Sequence, residues 1–391
     1  MTSAPNRLVP RLAPHVTSIF AEMSALANRL GAINLGQGFP DTDGPDELKA
    51  AAIRAITEGR GNQYPPGHGL PQLRQAIADH QRRFYGLNLN WETDVVVTTG
   101  ASEALQSALV ALVDTDDEVL IFEPWFDIYE VGVAMARGKT VGVPLDSTSL
   151  RPDFDRLSAA ITARSKVIVL NSPHNPTGTV WTRAELETLA GIVEKHDLIV
   201  ISDEAYEHLW FDGHPHIPFA TLPGMFERTV TIGSAGKSFS FTGWKVGWAS
   251  GPADLIAAVR VVRQHLSYVS SGPFQWAISE GLAYPDAYWE NFRHEMQAKR
   301  DLFTAGVLEL GFGVIPSEGT YFLTTDVRPL GFESGAEFTR MLPEKFGVVA
   351  IPHSALCQHP EAGAPFVRWA FCKKESVLAE ALDRMSSLRV S

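Results

Sequence analysis

Seven short runs of β-branched and other apolar residues, strung between Val95 and Ser250, constrain this chain more than any other feature. They are Val95–Thr99, Val119–Phe122, Thr140–Val143, Lys166–Leu170, Leu198–Ser202, Thr229–Ile232 and Val246–Ser250. Some are apolar nearly throughout, the pattern of strands covered on both faces in a mostly parallel sheet. Stretches with helical period lie between several of them, such as Ser102–Leu112 and Arg183–Lys195. The expected fold is α/β: a large domain, residues 45–275, with a mostly parallel seven-stranded sheet flanked by helices.

Beyond about Tyr268 the texture changes. A long charged helix-like segment, Asp286–Leu310, precedes strand-like runs at Gly313–Pro316, Tyr321–Thr325, Val348–Ile351 and Phe366–Phe371. Helix, then strands, then a last helix predict a smaller α+β domain over residues 276–391. The charged residues of the long helix, among them Glu290, Arg293, Glu295, Lys299 and Arg300, read as a solvated face. Residues 1–44 contain an amphipathic helix, Ser18–Leu30, with Ile19, Met23, Leu26, Ala27 and Leu30 at helical spacing. A helix this short is marginal alone in water, so the segment is expected to pack on the small domain.

The formal net charge of −12 shows no basic excess to hold a polyanion, so nucleic acid and anionic membrane are not expected partners and the ligand should be small. Cys357 and Cys372 are the only cysteines, too far apart in sequence for a C-x-x-C pair, which suits a reducing compartment. No signal-peptide core opens the chain and no run of about 18 apolar residues occurs, so a cytoplasmic protein is expected. No metal site is expected: His214 and His216 flank Pro215 without a third ligand nearby and read as solvated surface.

In a parallel α/β sheet, ligands gather at the carboxyl ends of the strands, and the residues with chemistry fall there. Gly100-Ala101-Ser102 follows the first run and opens a helix, an arrangement suited to cradling a phosphate on free N–H groups. N-S-P-H-N-P-T-G follows the fourth run and fixes Asn175 in a rigid turn. Asp203-Glu204-Ala205-Tyr206 follows the fifth, placing an acid and a phenol at a strand end. Gly233-Ser234-Ala235-Gly236-Lys237 follows the sixth. G-K-S there suggests a P-loop, but that motif wants a glycine five residues before Gly236, and position 231 is Thr. The G-Q-G of Gly36–Gly38 is followed by Phe-Pro rather than a helix, which disfavours a dinucleotide fingerprint. Each feature alone has an ordinary structural explanation, a cap, a turn or a surface charge. Together a phosphate cradle, a carboxylate, a phenol, an amide and a lysine are what a pyridoxal phosphate site requires: the amine condenses with the aldehyde, and the acid keeps the pyridine nitrogen protonated.

The stretches N-L-G-Q-G-F-P-D, N-Q-Y-P-P, E-P-W-F-D-I-Y-E, N-S-P-H-N-P-T-G, S-D-E-A-Y-E-H, S-A-G-K-S-F-S-F-T-G-W-K-V-G-W, E-G-T-Y-F-L and V-R-W-A-F-C-K occur in this order. In that order the chain resembles class I aminotransferases of the fold-type I pyridoxal-phosphate superfamily, and within it the kynurenine–glutamine transaminase and bacterial methionine aminotransferase group. The resemblance covers nearly the whole chain and implies roles. Lys237 would bond the cofactor, Asp203 would pair with its pyridine nitrogen, and Asn175 and Tyr206 would hold its ring oxygen. Phe126 would stack on the ring, while Gly100, Ala101, Ser102, Ser234 and Lys245 would bind phosphate. Lys245 departs from the arginine that many superfamily members carry, replacing a bidentate fork by a point charge. Tyr64 would reach the phosphate of a neighbouring subunit, implying a homodimer with shared active sites. Arg368 would take the substrate α-carboxylate, with Gly38 offering backbone and Phe20 lining the side-chain pocket. Tyr268 and Tyr321 are weaker pocket candidates, and His68 and His174 sit in motif loops where they would touch substrate or brace the loop.

The implied reaction is ping-pong transamination between an L-amino acid and a 2-oxo acid, with aromatic, sulfur-containing or glutamine-like donors. N-succinyl-diaminopimelate transamination and β-elimination of cysteine conjugates are alternatives on the same scaffold, and no second substrate arginine can be placed from the sequence. A non-catalytic sensing module is disfavoured by the absence of a DNA-binding domain or basic arm.

Overall fold

A computed structural model describes residues 7–388. Its strands, in chain order, are β1 (Ile33–Asn34), β2 (Val95–Thr99), β3 (Glu118–Glu123), β4 (Lys139–Pro144), β5 (Ser165–Asn171), β6 (Ile199–Asp203), β7 (Thr229–Ser234), β8 (Val246–Ser250), β9 (Gly313–Ile315), β10 (Phe322–Asp326), β11 (Val348–Val349), β12 (Ile351–Pro352) and β13 (Phe366–Ala370). All seven apolar runs lie on strands, and those strands form one sheet in the order β2-β8-β7-β6-β5-β3-β4. Strands β3, β7 and β8 are buried along their whole length. Helices such as Gly100–Leu112 and Arg183–Lys195 supply the apolar cover, and Thr182 closes the second in a reciprocal cap with Glu185. The architecture is the expected α/β one.

One strand runs against the rest. β8 is antiparallel to both β2 and β7, whereas the remaining pairs are parallel. Residues 235–245, which join β7 to β8, hold only a four-residue helix and one 3-10 turn, too little chain for a right-handed crossover. The reversal makes the residue entering β8, Lys245, arrive at the sheet edge where the other strands end.

The C-terminal part carries an antiparallel sheet in the order β12-β13-β10-β9, packed with the helices Asp286–Glu309, Gly335–Phe346 and Glu375–Arg384. The single run expected at Val348–Ile351 divides in two. β11 pairs in parallel with β1, and β12 joins the four-stranded sheet. The N-terminal helix Ile19–Leu30, capped by Ser18, seats Met23 and Ala27 on Val349, Ile351 and Leu356.

Two expectations need correction. The long helix is not a uniformly solvated face: Glu290 and Glu295 are exposed, but Lys299 and Arg300 are buried. Arg300 donates to Ser317 O at 2.8 Å and pairs with Asp212 and Asp301, so its charge ties the helix to two loops, and Arg293 stacks 3.9 Å over the Trp210 ring. His216 is likewise buried rather than solvated, its Nε2 3.0 Å from Glu204 Oε2. The Glu204 carboxylate, itself 2% exposed, is kept in the interior by Ser202 Oγ, the Phe219 N–H and this imidazole. His214 does sit at the surface.

Candidate active site

A cavity of about 380 Å³ opens at the carboxyl ends of the large sheet, roofed by the C-terminal part and the segment after β1. The helix Gly100–Leu112 points its N-terminus into it, and the first N–H groups of any helix lack intrahelical partners. Gly100 holds a left-handed φ of 73° and lets Lys245 Nζ lie against its backbone; a Cβ there would stand 3.1 Å from that nitrogen. Ala101, Ser102 and Ser234 line the same corner. Gly247 of β8 permits the arrangement, because a Cβ would meet Ala101 N and Gly100 C at 2.5 Å, both backbone atoms. Gly247→Ala is therefore expected to push β8 off the Gly100–Ser102 turn and lower stability by about 1–3 kcal/mol, read by thermal or denaturant unfolding.

The acid sits deeper. Asp203, at the end of β6, is buried; burial raises its pKa, and the Tyr129 hydroxyl, donating to Oδ2 at 2.7 Å, and the Ala205 N–H, donating to Oδ1 at 3.1 Å, pull the other way. Tyr129 is a residue the sequence reading missed; its place one turn after Phe126 in E-P-W-F-D-I-Y-E was the available signal. Tyr206 is buried beside Asp203 on the cavity wall, its phenol pushed up by burial. Phe126 lines the cavity with its ring 6.1 Å from that of Phe20.

The turn after β5 is braced by Asn171, missed by the sequence reading, whose Nδ2 donates to Asp203 O at 2.8 Å and whose Oδ1 accepts from the Asn175 N–H at 2.8 Å. Asn175 Oδ1 then accepts from Arg368 Nη1 at 2.8 Å. His174 braces this turn through Thr177 Oγ1 at 2.7 Å and is held neutral by burial, which drives its pKa down to about 3. His68 lies elsewhere, against Arg260 in a second, smaller cavity.

Besides Lys245, two cations line the cavity. Arg368, on β13, is 1% exposed and lies between the rings of Phe322 at 4.1 Å and Phe20 at 4.7 Å. Burial lowers its pKa to about 10, which leaves it charged at neutral pH. Its Nη2 donates to Gly36 O, its Nε–H has no partner, and among the described residues no carboxylate forms an ion pair with it. A structural ion pair, the ordinary use of a buried arginine, is thus not made here. Lys237 stands in the four-residue helix after β7, and burial lowers its amine to about 8. Its Nζ donates to Tyr321 Oη at 2.8 Å and to Gly38 O at 3.2 Å.

Tyr64 does not enter the cavity: it is 81% exposed and packs edge-on against Tyr268, also exposed and outside the lining.

A model of the family described as Aminotransferase class I and II matches residues 31–385. The chain belongs to this family. This aminotransferase is 50% identical over 391 residues to a probable N-succinyldiaminopimelate aminotransferase of Mycobacterium tuberculosis, covering 97% of this chain and 98% of the relative. It is 37% identical to the methionine aminotransferase of Escherichia coli, with 98% and 99% of the two chains covered. The solved structure of N-succinyldiaminopimelate aminotransferase from M. tuberculosis superposes with a TM-score of 0.95 at 50% identity, over 97% of this chain and 100% of that one. The matched region of the aminotransferase holds every cavity-lining residue except Ser18 and Phe20, which precede it.

Outside the cavity lining the fold also assembles a cluster the sequence reading did not anticipate. His80, Glu207 and His208 are buried with donor atoms within 4.8 Å of one another. The two Nε2 atoms are 2.7 Å apart, a hydrogen bond between imidazoles that burial keeps neutral, and His208 stacks on Trp289 at 3.9 Å. Burial lifts the Glu207 carboxyl to about 8, and Gln81 Nε2 donates to it at 3.2 Å. The cluster fastens the helix Pro71–Tyr85 to the loop that follows Asp203 and carries Tyr206.

Proposed function

We propose that this aminotransferase uses pyridoxal 5′-phosphate to move the amino group of an L-amino acid with an aromatic, sulfur-containing or glutamine-like side chain to a 2-oxo acid, in two half-reactions on one site. The observation that carries the reading is the pairing, across one cavity, of an amine lowered to about 8 with a buried arginine lacking an anionic partner.

The donor set fits the cofactor. Helix N–H groups at Ala101 and Ser102, the Ser234 hydroxyl and Lys245 would hold its phosphate, Asp203 its pyridine nitrogen, and Asn175 and Tyr206 its ring oxygen, with Phe126 against its face. When bound, pyridoxal phosphate supplies the electron sink that makes the α-proton of an amino acid removable. Arg368 binds the α-carboxylate through its planar fork, which directs the amino acid's α-carbon toward Lys237. Lys237 then takes the α-proton on Nζ and returns it, an exchange suited to an amine whose pKa is near the working pH. Asp203, anchored by Tyr129, would present its carboxyl group to the cationic ring nitrogen of the cofactor.

The wall beyond Arg368 is formed by Phe20, Phe126, Ser18, Gln37 and Asp127, apolar faces with neutral or acidic groups between them. That lining supports an uncharged donor side chain. The identity to the mycobacterial enzyme favours a second reading, in which the donor is N-succinyl-diaminopimelate; its distal carboxylates would need cations from outside this wall. β-Elimination of cysteine conjugates is a third outcome open to the same groups. The working unit is proposed to be a cytoplasmic homodimer, with exposed Tyr64 reaching the phosphate of the neighbouring site.

A donor-by-acceptor panel tests the assignment. Methionine, phenylalanine, kynurenine and glutamine are expected to turn over with 2-oxo acids and to return their own 2-oxo acids. Turnover of N-succinyl-diaminopimelate alone would establish the second reading, and pyruvate released from cysteine conjugates without transamination would establish a lyase.

A further inference from the structure

We propose that Tyr321 is a positioning residue for the proton transfer: its hydroxyl and the Gly38 carbonyl hold the free amine of Lys237 and set its basicity. The inference rests on the reading of Lys237 as the proton carrier, and it concerns the amine released from any covalent bond, the form that must take up and return the proton.

The direction of the hydrogen bonds decides what the contact does. Tyr321 Oη donates its one proton to Gly38 O at 2.6 Å. Its lone pairs are then what face Lys237 Nζ, which donates to it at 2.8 Å and to Gly38 O at 3.2 Å. Two acceptors therefore point at the nitrogen and no donor does. Acceptors bind an ammonium more strongly than a neutral amine, so the pair favours the protonated form and opposes burial, the main influence lowering the amine. The other titratable and charged groups around Nζ are Asp203 and Cys372, which favour the charge, Arg368 and Lys245, which disfavour it, and Tyr206, whose ring lies 5.7 Å away.

The backbone around Tyr321 is built for placement. Thr320, immediately before it, holds a φ of 65°, a left-handed conformation that a β-branched residue rarely adopts. The strained residue is pinned by its N–H to Leu209 O at 2.9 Å and by its hydroxyl, which accepts from the Phe322 N–H at 3.0 Å. The Tyr321 ring, 1% exposed, is edge-on to Tyr206 at 5.2 Å and to Phe322 at 4.9 Å. Its hydroxyl thus has one place to be, where the large domain (Lys237), the small domain (Tyr321) and the N-terminal segment (Gly38) meet.

Tyr321→Phe removes only the hydroxyl. In cofactor-free full-length protein, the pH dependence of Lys237 acylation by a small activated ester, read by peptide mass spectrometry with Lys237→Ala as the blank, reports the amine directly. The apparent pKa is expected to fall by about one unit, the loss of one charge-assisted hydrogen bond. In the reconstituted enzyme kcat is expected to fall about tenfold with KM changed less than about twofold, and the alkaline shift of the pH profile to move the same way. An unchanged or raised pKa overturns the proposal, whatever the activity. A lowered pKa in a protein whose parent shows no transamination upholds the hydrogen-bond assignment and sinks the catalytic reading of Lys237 instead.

Discussion

Lys237→Ala is expected to lose multiple-turnover transamination by on the order of 10⁴-fold, the upper end of what a positioned acid–base group contributes. The reason lies in the amine's surroundings. At a pKa of about 8, roughly one molecule in ten carries a neutral Lys237 at pH 7, against fewer than about one in a thousand for an ordinary lysine. No neighbour offers a substitute: Lys245 lies against Gly100 at the far corner of the cavity, and Arg368 cannot give up its proton near neutral pH. Loss of activity through unfolding can be separated from loss of the amine by the sign of the linkage. Because the folded-state pKa lies below the unfolded value of 10.5, the unfolded chain binds more protons between about pH 8 and 10.5, and stability attributable to Lys237 rises across that window. Below it the buried amine is a net burden. The cofactor-free alanine variant should therefore melt no lower than the parent at pH 7, and lose its relative advantage as the pH is raised. Sustained turnover by Lys237→Ala would refute the assignment.

Arg368→Ala is expected to lower kcat/KM by roughly 100- to 1000-fold for every amino acid alike, about 3–4 kcal/mol of lost carboxylate binding. The α-carboxylate is common to all substrates, and Arg368, proposed to bind it, is held between Phe20 and Phe322 with Asn175 and Gly36 fixing the fork. Arg368→Lys should recover only part of the loss, since a point charge cannot satisfy Asn175 Oδ1 and Gly36 O and still present two parallel donors. Steady-state kinetics over the donor panel decides the matter. A loss confined to one donor would make Arg368 a reader of side chains rather than of the carboxylate.

Much of the cavity was legible from strand ends because an α/β sheet delivers its loops to one edge, and a periodic sequence shows where each strand stops. Lys237, Asp203, Asn175 and the Gly100–Ser102 turn follow from that rule alone. The misreadings share a different cause. His216 and Arg300 look solvated because composition records polarity, whereas their burial follows from partners distant in the chain, Glu204 and Asp212. Tyr129 is missed for the complementary reason: its ring is buried in the core, and only its hydroxyl reports to Asp203. Tyr321 reads only as a weaker pocket candidate, because a motif locates a residue without saying where its last atom goes.

Sequence by itself determined the α/β class, the strand positions and the set of groups gathered at the carboxyl edge, because burial on both faces and helical period are local properties written residue by residue. Tertiary structure alone decided that β8 runs backwards and carries Lys245 to the edge where the other strands end, that Arg368 lies buried with no ion-paired carboxylate among the described residues, and that Tyr321 and Gly38 converge on Lys237. Those facts depend on directions and distances between segments up to 283 residues apart, and a one-dimensional pattern of polarity contains neither.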